Sequence, residues 1–130
     1  METNPSSFRT DSLPIEPDCF APDGSEIRLL PALKGGSLSH CTLQPEQMSL
    51  AVVHRTVEEI WYVLSGEGEI VRKLAEQVET TSLSSGISLT IPLGTHFQFR
   101  NTGTEPLCIV IATMPPWPGP EEAIPVPRLW

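Results

Sequence analysis

The sequence predicts an all-β domain, an antiparallel barrel or sandwich, on three observations. Short segments rich in β-branched and aromatic residues follow one another from about residue 26 to residue 114. Clusters of Gly, Pro, Asn and Ser separate them at short intervals, as turns do. No segment sustains a 3.6-residue apolar repeat, so helix content is expected to be near zero. A length of 130 residues suits one domain, and a hydrophobic fraction of 39% supplies one core.

Residues 1–25 carry Pro5, Pro14, Pro17 and Pro22 among Ser, Asp and Gly, and read as an arm without regular structure that Leu13, Ile15 and Phe20 pin to a surface. The barrel follows over 26–114. "EIRLL" opens it, "KGG" turns the chain into "SLSHCTL", and "QPEQ" leads to "MSLAVV". "EEIWYVL" and "GEIVRKL" flank "SGEG", whose Gly66 and Gly68 permit a tight connection. "LAEQVE" offers at most one helical turn, and strand or loop is expected there before "EQVETTSL". "SSG", "PLG" and "NTGTEP" then separate "ISLTI", "HFQFR" and "LCIVIATM". Residues 115–130, "PPWPGPEEAIPVPRLW", hold six prolines and read as a polyproline-type tail whose Trp117 and Trp130 pack on the barrel or on a second subunit.

With 8 Lys+Arg against 16 Asp+Glu, the net charge of −8 gives no positive footprint for nucleic acid or an anionic membrane surface. No apolar run approaches the roughly 20 residues of a membrane span. The first twenty residues lack the basic and apolar regions of a secretory leader. Cys19, Cys41 and Cys108, an odd number without CxxC spacing, read as reduced thiols, so a cytoplasmic protein is expected. Both arms are studded with apolar residues, and a homodimer is expected, with Ile15, Phe20, Trp117 and Trp130 as contacts.

Alternation assigns faces. Met48, Leu50, Val52 and His54 share parity on a mostly apolar, inward face. Glu59, Trp61 and Val63 share parity on the next strand. Phe97 and Phe99 oppose His96, Gln98 and Arg100, a polar set expected to face water.

These residues carry a resemblance to the cupins. That family's first motif is G-x5-H-x-H-x3-4-E-x6-G and its second is G-x5-P-x-G-x2-H-x3-N. Glu59 and Gly66 match the end of the first, with His54 on its second histidine. Gly86, Pro92, Gly94 and Asn101 match the second. The resemblance covers about residues 36 to 114 and implies a single-domain antiparallel double-stranded β-helix, a jelly-roll barrel. It also implies that Glu59 faces the interior with Trp61. The departures fall on the ligands: Val52 stands at the first histidine, Glu46 at the opening glycine and Phe97 at the last histidine, with His96 one residue early.

Two readings of the site follow. In one, His54 and Glu59 weakly hold a divalent metal (Fe, Mn, Ni or Zn) with a third ligand from His96 or His40 and water completing the shell. In the other they form a polar pair in a ligand pocket, because a buried carboxylate left unpaired costs several kcal/mol. Val52, Trp61, Phe97, Phe99 and His40 are expected to line that pocket. The function expected is that of a small-molecule cupin performing isomerase, cyclase or lyase chemistry, with His54 and Glu59 as acid/base groups. The alternative is a metal-free, non-catalytic binding or regulatory module.

Overall fold

The structure is a computed structural model describing residues 8–21 and 24–130, so Pro5 and Pro22 of the expected arm lie outside the described residues. Among the described residues eleven strands follow in chain order: β1 (Cys19–Phe20), β2 (Glu26–Leu33), β3 (Gly36–Leu43), β4 (Val52–His54), β5 (Glu58–Ser65), β6 (Gly68–Leu74), β7 (Gln77–Leu83), β8 (Ser88–Ile91), β9 (His96–Asn101), β10 (Leu107–Met114) and β11 (Ala123–Pro125). The described helix is a single 3-10 turn, Pro120–Glu122. Among the described residues no helix is long and apolar enough to cross a membrane.

The strands form two antiparallel sheets, ordered β1-β2-β3-β10-β5-β8 and β11-β4-β9-β6-β7. The chain passes repeatedly between them, as in a jelly roll. The inner faces follow the two-residue period of a strand: β5 and β10 alternate buried with more exposed positions along nearly their whole length. Val63, Ile70, Leu107 and Ile109, all fully buried, join Trp61, Phe97 and Phe99 in one core between the sheets.

Turn chemistry fixes how the strands meet. Gly66 has φ 89°, and a Cβ there would come within 2.5 Å of the Pro106 carbonyl oxygen, so both the backbone conformation and the space require glycine. Asn101 organises the next turn. Its amide donates to the carbonyls of Leu43 and Glu105, and its side-chain oxygen accepts from Gly103 N–H. Leu74 and Gln77 close the β6–β7 hairpin around Ala75 and Glu76, with no helical turn.

Three expectations are corrected. Met48 and Leu50 do not share the inward face of Val52 and His54; both are exposed. The strand is only Val52–His54, and before it Ser49 turns inward, its N–H donating to Phe99 O and its hydroxyl accepting from Phe99 N–H. Outside a ladder, parity does not carry. Gln98 does lie opposite Phe97 and Phe99, yet it is buried: its amide donates to Ser49 O and its oxygen accepts from Leu129 N–H.

The tail causes that burial, and it is not a polyproline helix. It makes the 3-10 turn, pairs β11 with β4, and returns so that Trp130 lies under the Arg100 guanidinium, 4.3 Å from its ring centroid. Trp117 and Trp130 thus both pack on their own barrel, while Ile15 and Phe20 stay exposed. The proximal arm is held by Arg28, which donates to the carbonyls of Pro14 and Ile15, and by the short β1–β2 ladder.

Ile109 tests the core assignment. Ile109→Ala should lower stability by about 2–5 kcal/mol, the usual cost of emptying a fully buried aliphatic site, read as a lower urea midpoint at unchanged slope. A loss below about 1 kcal/mol would contradict the close packing between the sheets.

Candidate functional site

A cavity of about 440 Å³ lies between the inner faces of the sheets. Its walls are mainly apolar, from Cys41 on β3, Trp61 on β5, Phe97 and Phe99 on β9 and Ile111 on β10. The arms complete it, with Arg9, Cys19 and Phe20 from the N-terminal side and Pro116, Trp117 and Pro120 from the C-terminal side. Of the polar side chains on the barrel wall, Ser37 and Ser39 on β3 are half-buried, and His54, Glu59 and Thr113 are buried.

Glu59 is the best-held of the three. The β5–β10 register sets Thr113 directly opposite it, and the Thr113 hydroxyl donates to Oε2 at 2.8 Å. Trp61, two residues along the same strand face, donates its indole N–H to Oε1 at 3.1 Å. Two donors offset part of the cost of burying a carboxylate, since hydrogen bonds to the charged form are the main compensation a dry interior offers. Trp61 is itself wedged edge-on against Phe97 and Phe99 at ring separations of 5.6 and 5.0 Å, so the donor cannot easily swing away.

His54 comes from the end of β4. Its Nδ1 is 3.9 Å from Glu59 Oε1, beyond hydrogen-bond range, and is buried without a partner among the described residues. Phe97 and Trp117 flank the ring edge-on at 5.2 and 5.3 Å. The imidazole is thus fixed in an aromatic slot with one nitrogen toward the carboxylate.

The structure brings together His54, Glu59, Trp61, Phe97 and Phe99 of the residues singled out from sequence. It does not bring the others to the cavity. Val52 packs in the core beside it. His40 shares β3 with Ser39 and Cys41, which line the cavity, but points to the opposite face, where burial and then the Arg28 charge push its imidazole below the ordinary range. His96 is half-buried on the side of β9 away from Phe97. Among the described residues no three His, Cys, Asp or Glu side chains cluster so as to hold a metal ion. The two converging donors therefore do not fit a resident metal centre, which takes three or more protein ligands.

Two contributors were not picked out from sequence. Thr113 carried a usable signal, because it shares parity with the buried Leu107, Ile109 and Ile111. Glu122 carried none, lying in a proline-rich tail. Buried there, its carboxylate accepts from Thr56 N–H, the Thr56 hydroxyl and Val57 N–H, while its carbonyl accepts from Arg55 N–H. The residue after it, Ala123, pairs with His54 itself. Glu122 thus latches the tail to the loop leaving His54, and so holds Trp117 against the ring. Burial works to raise its carboxyl, but the hydrogen bonds from Thr56 and Val57, helped by His54, outweigh it and hold the group below the ordinary 4.5.

A family model described as a cupin domain matches residues 39–113. No curated protein matches the chain in sequence. Among solved structures, it is similar to the capsular polysaccharide assembling protein CapF from Staphylococcus aureus (16% identity, TM-score 0.70, 80% of this chain and 32% of that one). It is also similar to oxalate decarboxylase from Bacillus subtilis, a structure concerned with Mn(II) centres (19%, TM-score 0.65, 76% and 27%). A third is the CENP-C domain from Drosophila melanogaster (16%, TM-score 0.64, 70% and 67%). The chain thus spans about a third of the length of CapF. Identities this low carry the fold alone.

The matched region stops at Thr113, short of the Glu122 latch. Glu122→Gln should cost about 1–3 kcal/mol at pH 7, as for a buried carboxylate that loses charged hydrogen bonds. Because the folded carboxyl sits below its unfolded value, its contribution is complete above about 4.5 and is lost as pH falls through the lowered folded value. Urea unfolding of both proteins at pH 7 and near pH 3 should show the gap shrinking in acid; a gap independent of pH would contradict the latch.

Proposed function

We propose a function on the premise that the chain belongs to the cupin domain family, whose model matches more than half of it: this is a small-molecule cupin that transfers protons within its barrel, with His54 and Glu59 as the working pair. The observation behind the reading is their convergence. A buried imidazole, its Nδ1 without a hydrogen-bond partner among the described residues, stands 3.9 Å from a buried, doubly held carboxylate at the wall of a mainly apolar cavity. The two groups meet where a ligand in the cavity reaches both, which is the arrangement acid/base chemistry needs.

Each residue then has a role. Trp61 and Thr113 hold the Glu59 carboxylate in place. A shift of about 1 Å brings His54 Nδ1–H onto Oε1, which fixes the tautomer and leaves Nε2 as the acceptor for the cavity. Nε2 takes a proton from carbon next to a carbonyl and returns it either to the neighbouring atom, giving isomerisation, or to a departing hydroxyl, giving elimination. Glu59 stabilises the imidazolium in between, and Phe97, Phe99 and Trp117 exclude water. No step is routed through a metal, because among the described residues the converging donors are two, His54 and Glu59.

One feature favours a second reading, a binding module without catalysis. Both Glu59 oxygens already accept a hydrogen bond, as suits a fixed polar anchor. Proton exchange separates the two. In D₂O with a panel of enolisable ketones, wild type should exchange α-hydrogens, followed by NMR, and His54→Gln and Glu59→Gln should each lower the rate by about 10²–10⁴ while circular dichroism stays unchanged. A chelator should leave the rate intact. Tight binding of a ketone without exchange would favour the binding module and end the catalytic reading.

A further inference from the structure

We propose that the ligand of this pocket is an uncharged, flat, largely apolar molecule of one to two rings that presents a hydroxyl to Glu59, and that the C-terminal segment, outside the matched family region, supplies the roof that selects it. This rests on the reading of the cavity as the working site and adds the chemical class of what enters.

Size comes first. A cavity of about 150 Å³ holds benzene, and this one is about 440 Å³. It therefore has space for a bicyclic system or a substituted single ring. Shape comes next. Trp61, Phe97, Phe99 and Trp117 line the cavity, and their contacts with one another and with the His54 ring are edge-to-face at 5.0–5.6 Å. Such walls favour the faces and edges of another ring over a hydrated sugar-like ligand.

Charge decides the rest. Among the described residues, the charged or titratable groups of the lining, cysteine aside, are Arg9, His54 and Glu59. Arg9 belongs to the arm and is paired with Asp11 at 2.9 Å, so it offers no free positive charge deep in the cavity. A ligand carboxylate or phosphate beside Glu59 would meet like charge in a low-dielectric setting. A ligand cation would find a carboxylate already shared between Trp61 and Thr113. A neutral hydroxyl suits the site best, because a carboxylate oxygen has room for a further donor and a hydroxyl needs no counter-ion.

The roof is this chain's own. Pro116, Trp117 and Pro120 follow the last matched residue, Thr113. Trp117 touches the His54 ring, and Trp117 N–H donates to Ser37 Oγ, which fixes the segment across the mouth. Removing the indole would open the slot above His54 without touching the barrel wall.

Calorimetry on the full chain tests this with four matched probes: 2-naphthol, naphthalene, 2-naphthoate and 2-naphthylmethylammonium. The expected order has 2-naphthol tightest, at least about tenfold ahead of naphthalene and of either ion, in line with one hydrogen bond to a charged acceptor. Glu59→Gln should shrink the naphthol advantage and improve 2-naphthoate. Trp117→Ala should weaken naphthol and naphthalene alike, and Trp117→Phe should recover most of that loss. Tightest binding by either ion, or no binding of any probe at millimolar concentration, overturns the ligand class. The two proposals fail separately: ketone exchange that depends on Glu59 without naphthol binding sinks only the ligand class, and naphthol binding without exchange sinks only the proton-transfer reading.

Discussion

A carboxylate sits in the interior of this barrel, and much of the surrounding arrangement answers to it. Burying Glu59 costs several kcal/mol unless its oxygens are met. They are met by Thr113, across the β5–β10 ladder, and by Trp61, on the same strand. Those contacts demand a particular register, because a slip of one residue would turn Glu59, Trp61 and Val63 outward together. The same register places Val63 opposite Ile109 and Trp61 opposite Ile111, so polar satisfaction and apolar packing select one pairing. Trp61 then settles against Phe97 and Phe99, which ties the carboxylate to the second sheet.

The tail extends this arrangement beyond the matched family region. Six prolines deny it a regular helix, yet its extended runs add a strand to β4 and cover the outer face of β9. Glu122 is the fastening. It satisfies three donors of the loop after His54, among them the N–H of the buried Val57, which would otherwise go unmet. With that loop fixed, Trp117 and Phe97 clamp the imidazole from two sides. The site is therefore built from the barrel strands and from both arms, with the loop leaving β4 fastened behind His54.

Substitutions at the family's ligand positions have a consistent physical effect. Phe97 stands where the second motif has histidine, and it packs on both Trp61 and His54. His96 is carried to the other face of β9 because neighbours in a strand point apart. His40 likewise belongs to the outer face of β3. Among the described residues these changes leave one imidazole and one carboxylate at the cavity wall, with four aromatic rings around them.

The sequence by itself determined most of the barrel strands, most of their turns and the inward faces of β5 and β9. Those features are local: a period of two, glycines where φ is positive, and an Asn whose side chain closes its own turn. Glu59, Trp61, Phe97 and Phe99 were legible for that reason, and so was the outward turn of His96. Parity misled at Met48 and Leu50, where the chain is not in a ladder. Only the tertiary structure decided that Thr113 meets Glu59, 54 residues away, and that Glu122 meets Thr56, 66 residues away. It also decided that the tail buries Gln98 and roofs the cavity. Such contacts depend on which strands become neighbours, and that is set by closing the whole core, which no local pattern of residues encodes.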